Sequence, residues 1–353
     1  MNIYENELYR ADVQRISELP YEWEKLTHMT VAVSGATGMV GSFLADVLME
    51  RNHRHNQDVT LILMGRSRSK LVHRFREYMD DANVELCVQD VNDPITEEPE
   101  PDYVIHAAST THPRAYAEEP IGTITANVIG TKNLLDWAVA SDAKRFVFLS
   151  SVEIYGENRG TVNAFSETDL GYIDCNTMRA GYPESKRTGE ALCQAYRREK
   201  GLDSVVVRLS RTYGPTMLAT DTKAISQMIG KGLKGEDIVL KSAGTQLYSY
   251  SYVADAVSAI LFCMLQGEDG EAYNVVSDES DIRLADLAQT IADWAGTNVV
   301  FEMPDATEAA GYSKATRATM STDKLKALGW KSLYPLAKAL PRTLSILAET
   351  SEE

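Results

Sequence analysis

No apolar run in this 353-residue sequence approaches the ~20 residues that cross a bilayer, which excludes a membrane-spanning helix. A basic surplus is also missing. Lys and Arg number 35 against 51 Asp and Glu, for a net charge of −16. Nucleic-acid binding needs clustered cations, so this balance argues against it, and an anionic substrate must find local positive charge. Cysteine is scarce: Cys87, Cys175, Cys193 and Cys263 are scattered without metal-ligand spacing and read as reduced thiols of a cytoplasmic protein. The six histidines form no H-x-x-x-H or H-E-x-x-H pattern, so no metal site is predicted. His53 and His55 flank Arg54 in what reads as a polar loop. Acid runs such as Glu97-Glu98-Pro99-Glu100 read as solvated loop. The N-terminus is charged from Glu5 onward, unlike a secretory signal. Internal repeats, low-complexity segments and flexible linkers are absent.

What is present is an alternation. Strand candidates are Thr30–Ser34, Val59–Met64, Val84–Val88, Tyr103–His106, Arg145–Ser150 and Ser204–Leu209, separated by amphipathic stretches, notably Val128–Ala140 and Ser185–Arg198. Such alternation predicts an α/β fold with a doubly wound parallel sheet. After Gly214-Pro215 the regularity loosens. Ala224–Leu233, Val253–Leu265 and Leu284–Trp294 read as helices, and Ile238–Leu240 and Tyr273–Val276 as strands. The predicted organisation is an N-terminal extension over 1–28, a dinucleotide-binding domain over 29–210, and a smaller substrate-binding lobe over 211–353 that returns to the sheet. In the extension, Leu8, Val13, Ile16, Leu19 and Trp23 have helical spacing. It reads as a helix packed on the body, with an arm swapped to a partner as the alternative.

Two motifs carry chemistry. The turn Gly35-Ala36-Thr37-Gly38-Met39-Val40-Gly41 follows the first strand and opens a helix. Its glycines let backbone approach a pyrophosphate, and the helix start offers free N–H groups and positive dipole. Far downstream, Tyr182 and Lys186 stand four apart on one helical face. A nearby ammonium would favour the phenolate and make Tyr182 a base. Ser150-Ser151 ends an apolar strand, where a hydroxyl can bond the group being oxidised.

With these motifs in order, the chain resembles the extended, nucleotide-sugar-modifying branch of the short-chain dehydrogenases/reductases. The resemblance also rests on His106-Ala107-Ala108, Asn127 through Leu135, Ser150 through Gly156, Arg208 through Pro215, and Tyr252-Val253-Ala254-Asp255. It implies a Rossmann fold and a reaction through a transient 4-keto sugar. It assigns Tyr182 as base, Lys186 as its electrostatic partner and ribose ligand, Ser151 as hydroxyl donor, and Asn127 as a brace. Glu153, two places after Ser151, matches a carboxylate that sugar 4,6-dehydratases and UDP-glucuronate decarboxylases carry. It would be a second base, with a solvent-facing glutamate as the alternative. The resemblance further implies a homodimer through Val128–Ala140 and Ser185–Arg198.

On the cofactor side it assigns Gly35, Thr37, Gly38, Met39, Val40 and Gly41 to the phosphates, Asp90 and Val91 to adenine, and Ala107 and Ala108 to the nicotinamide side. The second strand ends Leu63-Met64-Gly65-Arg66-Ser67-Arg68, with no acid for a ribose hydroxyl. Arg66, helped by Ser67 or Arg68, therefore favours NADP, with NAD as the alternative. On the substrate side it assigns Thr110, Arg179, Arg211 and Tyr248. Here the chain departs from the pattern. The decarboxylases' arginine seven residues before Asp255 is Tyr248, the asparagine of N-x-Y/F-G-P is Arg211, and the dehydratases' Asp before the Glu is Val152. The leading expectation is a nucleotide-sugar epimerase or dehydratase. The alternatives are an NADP-dependent reductase of a small carbonyl compound and a non-catalytic NADP-binding protein.

Overall fold

The protein is described from a computed structural model that covers residues 2–95, 100–109, 111, 116, 118–302 and 316–350. Seven parallel strands form the central sheet, in the order β10-β6-β5-β4-β1-β2-β3. They are β1 (Thr30–Ser34), β2 (Thr60–Gly65), β3 (Val84–Val88), β4 (Tyr103–His106), β5 (Arg145–Ser151), β6 (Ser204–Leu209) and β10 (Ala272–Val275). In register, Val31 pairs with Leu61 on one side and Tyr103 on the other. The strands are nearly all apolar because both faces are covered. Alternate residues of one strand enter different cores. Val31, Val33, Leu61, Leu63, Val147 and Val205 pack on one face, and Ala32, Ile62, Val104, Phe146 and Val206 on the other.

The first core is closed by α1 (Glu7–Ser17), α2 (Met39–His55) and, later in the chain, the almost wholly buried Val253–Gln266 helix. After the short α3 (Arg68–Arg74), the second core is closed by α4 (Pro120–Ala140) and α5 (Gly181–Lys200), which pack on each other. Both begin earlier than their apolar spacing indicates. Proline suits the first position of α4, where its missing N–H is not needed. Gly181 opens α5, so Tyr182 lies in its first turn. His53 and His55 are not in a loop. They form the last turn of α2, where His53 meets Asp81 at 2.9 Å and His55 meets Glu18 at 3.0 Å. Basic groups favour a helix C-terminus, which a search for loop composition overlooks.

The smaller lobe begins at β7 (Arg211–Tyr213), one residue past β6. β7 and β13 (Arg317–Ala318) run parallel to β9 (Leu247–Tyr252), and β11 (Asp281–Arg283) runs antiparallel to it. A second pair joins β8 (Ile238–Leu240) and β12 (Val299–Phe301). α6 (Ala224–Leu233) packs against the Leu284–Ala295 helix beside it. Helix α1 packs on the body of its own chain. Its Asp12 accepts from Tyr252 at 2.6 Å and from Arg342 at 2.8 Å, and its Tyr9 joins Tyr4, Tyr78 and Arg74 around the buried Asp46.

Candidate active site

The glycine turn is shaped by contacts that a side chain would destroy. Gly35 has φ +67°, and a Cβ there would lie 2.7 Å from the Ala108 Cα. A Cβ on Gly41 would lie 2.6 Å from the Gly35 oxygen. These two glycines press the turn onto Ala107-Ala108 and the helix onto the turn. Gly38 caps α2 without a side chain, so the amides of Met39 and Val40 begin the helix with no intrahelical acceptor. Thr37 is half-buried beside them. Behind the turn, Ser34 Oγ accepts from the Ala108 amide at 3.1 Å and lies 2.9 Å from His106 Nδ1. Full burial holds this imidazole neutral, well below its ordinary pKa.

At the adenine end the assigned residues spread out. Arg66 and Arg68 are exposed, and Ser67 caps α3 through the Lys70 amide at 3.4 Å. Asp90 accepts from the Asn92 amide at 2.9 Å. Val91 is buried against Gly130 of α4, and its carbonyl accepts from Asn133 at 2.9 Å.

The strand end of β5 and the first turn of α5 bring the next group together. Ser151 and Tyr182 line one cavity, and the Ser151 hydroxyl favours the Tyr182 phenolate. The Ser151 Oγ accepts from the Glu153 amide at 3.2 Å. Tyr116 stacks on the Tyr182 ring, with centroids 4.8 Å apart. Burial raises the Tyr182 pKa well above the ordinary phenol value, against the opposing influence of the Ser151 and Tyr116 hydroxyls. Lys186 does not act on it as spacing alone suggested. Its ammonium donates to the Leu149 carbonyl at 2.8 Å and lies 4.9 Å from the Phe148 ring, and burial lowers its pKa to about 7. Buried Asn127 donates to Ser185 at 3.0 Å and accepts from Ser109 at 2.8 Å, tying α4, α5 and the segment after β4. Ser150, Glu190 and Arg208 lock the same corner: Glu190 accepts from Ser150 at 2.5 Å and from Arg208 at 2.7 Å.

On the far side stand polar residues from both the segments after β5 and the lobe. Glu153 lies between two guanidiniums, 3.6 Å from Arg211 and 3.8 Å from Arg179. The Arg211 guanidinium carbon sits 3.6 Å above the Tyr248 ring. Thr110 lies outside the described residues, as does most of the acid run Glu97–Glu100. One cavity of about 800 Å³ joins the two ends. Gly35, Gly38, Met39, Val40, Gly41, Ala107, Ser151, Glu153, Arg179, Tyr182, Lys186, Arg211 and Tyr248 all line it. Arg66, Ser67, Arg68, Asp90, Val91 and Asn127 are outside that lining.

The model of the NAD dependent epimerase/dehydratase family matches residues 31–276. The chain belongs to this family. UDP-glucuronic acid decarboxylase 5 of Arabidopsis thaliana is 29% identical over 89% of the chain and 88% of its own length. UDP-glucuronic acid decarboxylase 1 of Xenopus tropicalis is 29% identical over 96% and 76%. Among solved structures, UDP-glucose 4-epimerase of Thermotoga maritima with UDP-glucose superposes with a TM-score of 0.77. It is 24% identical and covers 92% of this chain and all of its own. The dTDP-glucose 4,6-dehydratase of Streptomyces venezuelae with NAD bound also gives 0.77, at 21% identity, covering 91% and 97%.

NAD fits the family member described here on its own geometry. The Gly35 surface that a Cβ would fill and the open amides of Met39 and Val40 suit a pyrophosphate. Sequence reasoning missed Tyr116, which no motif marks, and the Ser34–His106 bond, although His106 stood in a recognised segment. It also missed the Ser150–Glu190–Arg208 lock, whose members belong to three separate segments. No helix among the described residues is long and apolar enough to cross a membrane, and no three described His, Cys, Asp or Glu gather as metal ligands.

Proposed function

We propose that this family member is an NAD(P)-dependent nucleotide-sugar epimerase or dehydratase that works through a transient 4-keto sugar. One observation carries the reading: the Ser151–Tyr182 hydroxyl pair lines the same cavity as the glycine turn. A bound nicotinamide would take a hydride from the sugar and later return it. Gly35, Gly38, Gly41, Thr37 and the amides of Met39 and Val40 hold the phosphates, Asp90 and Val91 the adenine, and Ala107-Ala108 the nicotinamide side. Lys186 holds the ribose. Ser151 binds the sugar hydroxyl, and Tyr182 takes its proton. Glu153 removes a proton from the carbon that the new ketone acidifies. Asn127 braces α5 through Ser185. The relatives named above act on UDP- and dTDP-sugars, which supports a nucleotide-sugar substrate on Arg179, Arg211, Tyr248 and Thr110.

The family and the solved relatives weigh toward NAD, whereas Arg66 in place of an acid supports NADP. NAD is the cofactor proposed first, with the 2′-phosphate tolerated. The proposed assembly is a homodimer through α4 and α5, for which sedimentation at micromolar concentration should give twice the monomer mass. The test of function is a panel of nucleotide sugars followed by NMR, with absorbance at the reduced-nicotinamide band recorded alongside. Sugar conversion without net absorbance change supports the proposal. Stoichiometric consumption of NADPH with a small carbonyl compound replaces it with the reductase reading.

A further inference from the structure

We infer that Tyr116 is a positioning residue for the base Tyr182: its ring seats the Tyr182 phenol, and its hydroxyl sustains the phenolate in the place that sequence spacing gives to Lys186. The inference rests on the reading of Tyr182 as the base and deepens it. Tyr116 belongs to the segment between β4 and α4, four residues before α4 begins. Its ring lies on the Tyr182 ring with centroids 4.8 Å apart and planes inclined by 20°, and both side chains line the cavity. A near-parallel stack holds the Tyr182 ring against tilting, and it brings a second phenol to the same wall.

The donors open to the phenolate decide the rest. Tyr182 is only 5% exposed, and an oxyanion at that depth needs hydrogen-bond donors. Lys186, one turn along α5, is committed elsewhere. Its ammonium donates to the Leu149 carbonyl at 2.8 Å and faces the Phe148 ring at 4.9 Å. Burial lowers its pKa to about 7, so in alkali it has no charge to lend. The Ser151 hydroxyl favours the phenolate, but it has a single proton and the proposed sugar contact claims it. Tyr116 carries a second O–H, and its influence on Tyr182 also runs toward the phenolate. Burial, Tyr182 and Glu153 keep the proton on Tyr116, with Asp221 adding to them and Arg179 opposing. Glu153 likewise opposes charge on Tyr182, which makes the two hydroxyls the groups that counter it. Of the two stacked phenols, Tyr116 is the donor and Tyr182 the acceptor.

The test is Tyr116→Phe, which keeps the ring stack and removes the hydroxyl. Tyrosine labelled with carbon-13 at Cζ reports each phenol by NMR in the NAD-loaded protein, and the signal lost in Tyr182→Phe assigns Tyr182. The titration uses no sugar. In Tyr116→Phe, Tyr182 should hold its proton about tenfold more tightly than in wild type. With a nucleotide sugar that the panel above shows to be converted, the acid limb of kcat should move to higher pH by the same factor while KM stays within about twofold. A merely structural role would lower kcat equally at every pH. An unchanged titration overturns the inference, as does a Tyr182 that keeps its proton up to about pH 11 in both proteins. A rise in KM alone overturns it too and moves Tyr116 onto the sugar. If Tyr116→Phe fails to fold, judged by circular dichroism, Lys186→Met decides. A Tyr182 titration within about threefold of wild type then supports the inference, and a displacement of about tenfold returns the phenolate to the ammonium. If no nucleotide sugar is converted, the nucleotide-sugar reading fails, and the titration still decides the role of Tyr116.

Discussion

The cofactor end and the substrate end of the cavity are built from different materials. Around Gly35 the surface is backbone: two glycines, two alanines and a helix start, fixed by contacts as short as 2.6 Å to a hypothetical Cβ. Around Glu153 it is long side chains, none closer than 3.6 Å to its oppositely charged neighbour. A backbone surface tolerates no substitution and reads a group common to all dinucleotides. A side-chain surface can be rebuilt residue by residue, and Tyr248, Arg211 and Val152 are where the sequence departs from the pattern its resemblance implies. On the proposed function, chemistry is held in common at one end, and selectivity is set at the other.

The largest effect should come at the seam. Tyr182→Phe removes the proton acceptor and should lower kcat about 1,000-fold or more while NAD binding stays within a factor of about two, measured by single-turnover kinetics and cofactor titration. Equal loss of binding and rate would mean that the phenol belongs to the cradle. Next comes Gly35→Ala, which meets Ala108 backbone and a left-handed φ together. It should raise the NAD Kd about 100-fold, or unfold the turn with a matching drop in Tm. A mild effect would break the claim that this end is made of backbone.

Legibility follows the same division. The strands β1, β4 and β6 match their apolar runs to the residue, because a buried parallel strand must be largely apolar; the edge strand β3 matches too, although Glu85 and Val88 are exposed. The glycine turn was readable because it keeps fixed spacing within one strand–turn–helix unit, β1 to α2, and Tyr182 and Lys186 because they stand four apart at the start of α5; Ser151 lies 31 residues before Tyr182, at the end of β5. The direction of the Lys186 ammonium was not readable. Four-residue spacing puts it on the face of Tyr182, but the choice between phenol and Leu149 carbonyl is made by β5. Tyr116, 66 residues before Tyr182, has no periodic relation to it. The Arg211–Tyr248 stack depends on β7 lying against β9, a pairing between strands some forty residues apart. His53 and His55 were misread because polar composition marks a helix end as readily as a loop.

Two smaller changes sharpen the contrast. Arg66, with Arg68 near it, is an assigned cofactor position where a cationic side chain, not backbone, would choose between the two cofactors. Arg66→Asp should weaken NADP about tenfold and leave NAD unchanged, read by fluorescence titration with both. Loss of both together would move Arg66 from selectivity to general support. Asn127→Ala leaves Ser185 and Ser109 short of a buried partner, at a cost of about 1–3 kcal/mol in unfolding free energy. If Asn127 positions α5, kcat should fall several-fold while KM for the sugar holds, and Asn127→Asp should restore only the Ser109 contact, because a carboxylate cannot donate to Ser185.

The smallest effect, a shift in Tm, tests how the two ends meet. Burial lowers the Lys186 pKa from 10.5 to about 7. Below about pH 7 the folded protein carries the buried charge, and the full penalty is present. Between 7 and 10.5 the folded amine is neutral while the unfolded one still holds its proton, so stability rises with pH across this window. Lys186→Met removes the penalty but strips the Leu149 carbonyl of its donor at every pH, because the neutral amine also makes that bond. The difference in Tm between variant and wild type should therefore favour the variant most at pH 6 and drift toward the wild type by pH 10. The drift, not its sign at one pH, isolates the burial of charge. A flat difference would mean that Lys186 stays charged throughout. It would then stand ready to act on Tyr182 without help, and the seam would belong to the side-chain end of the cavity alone.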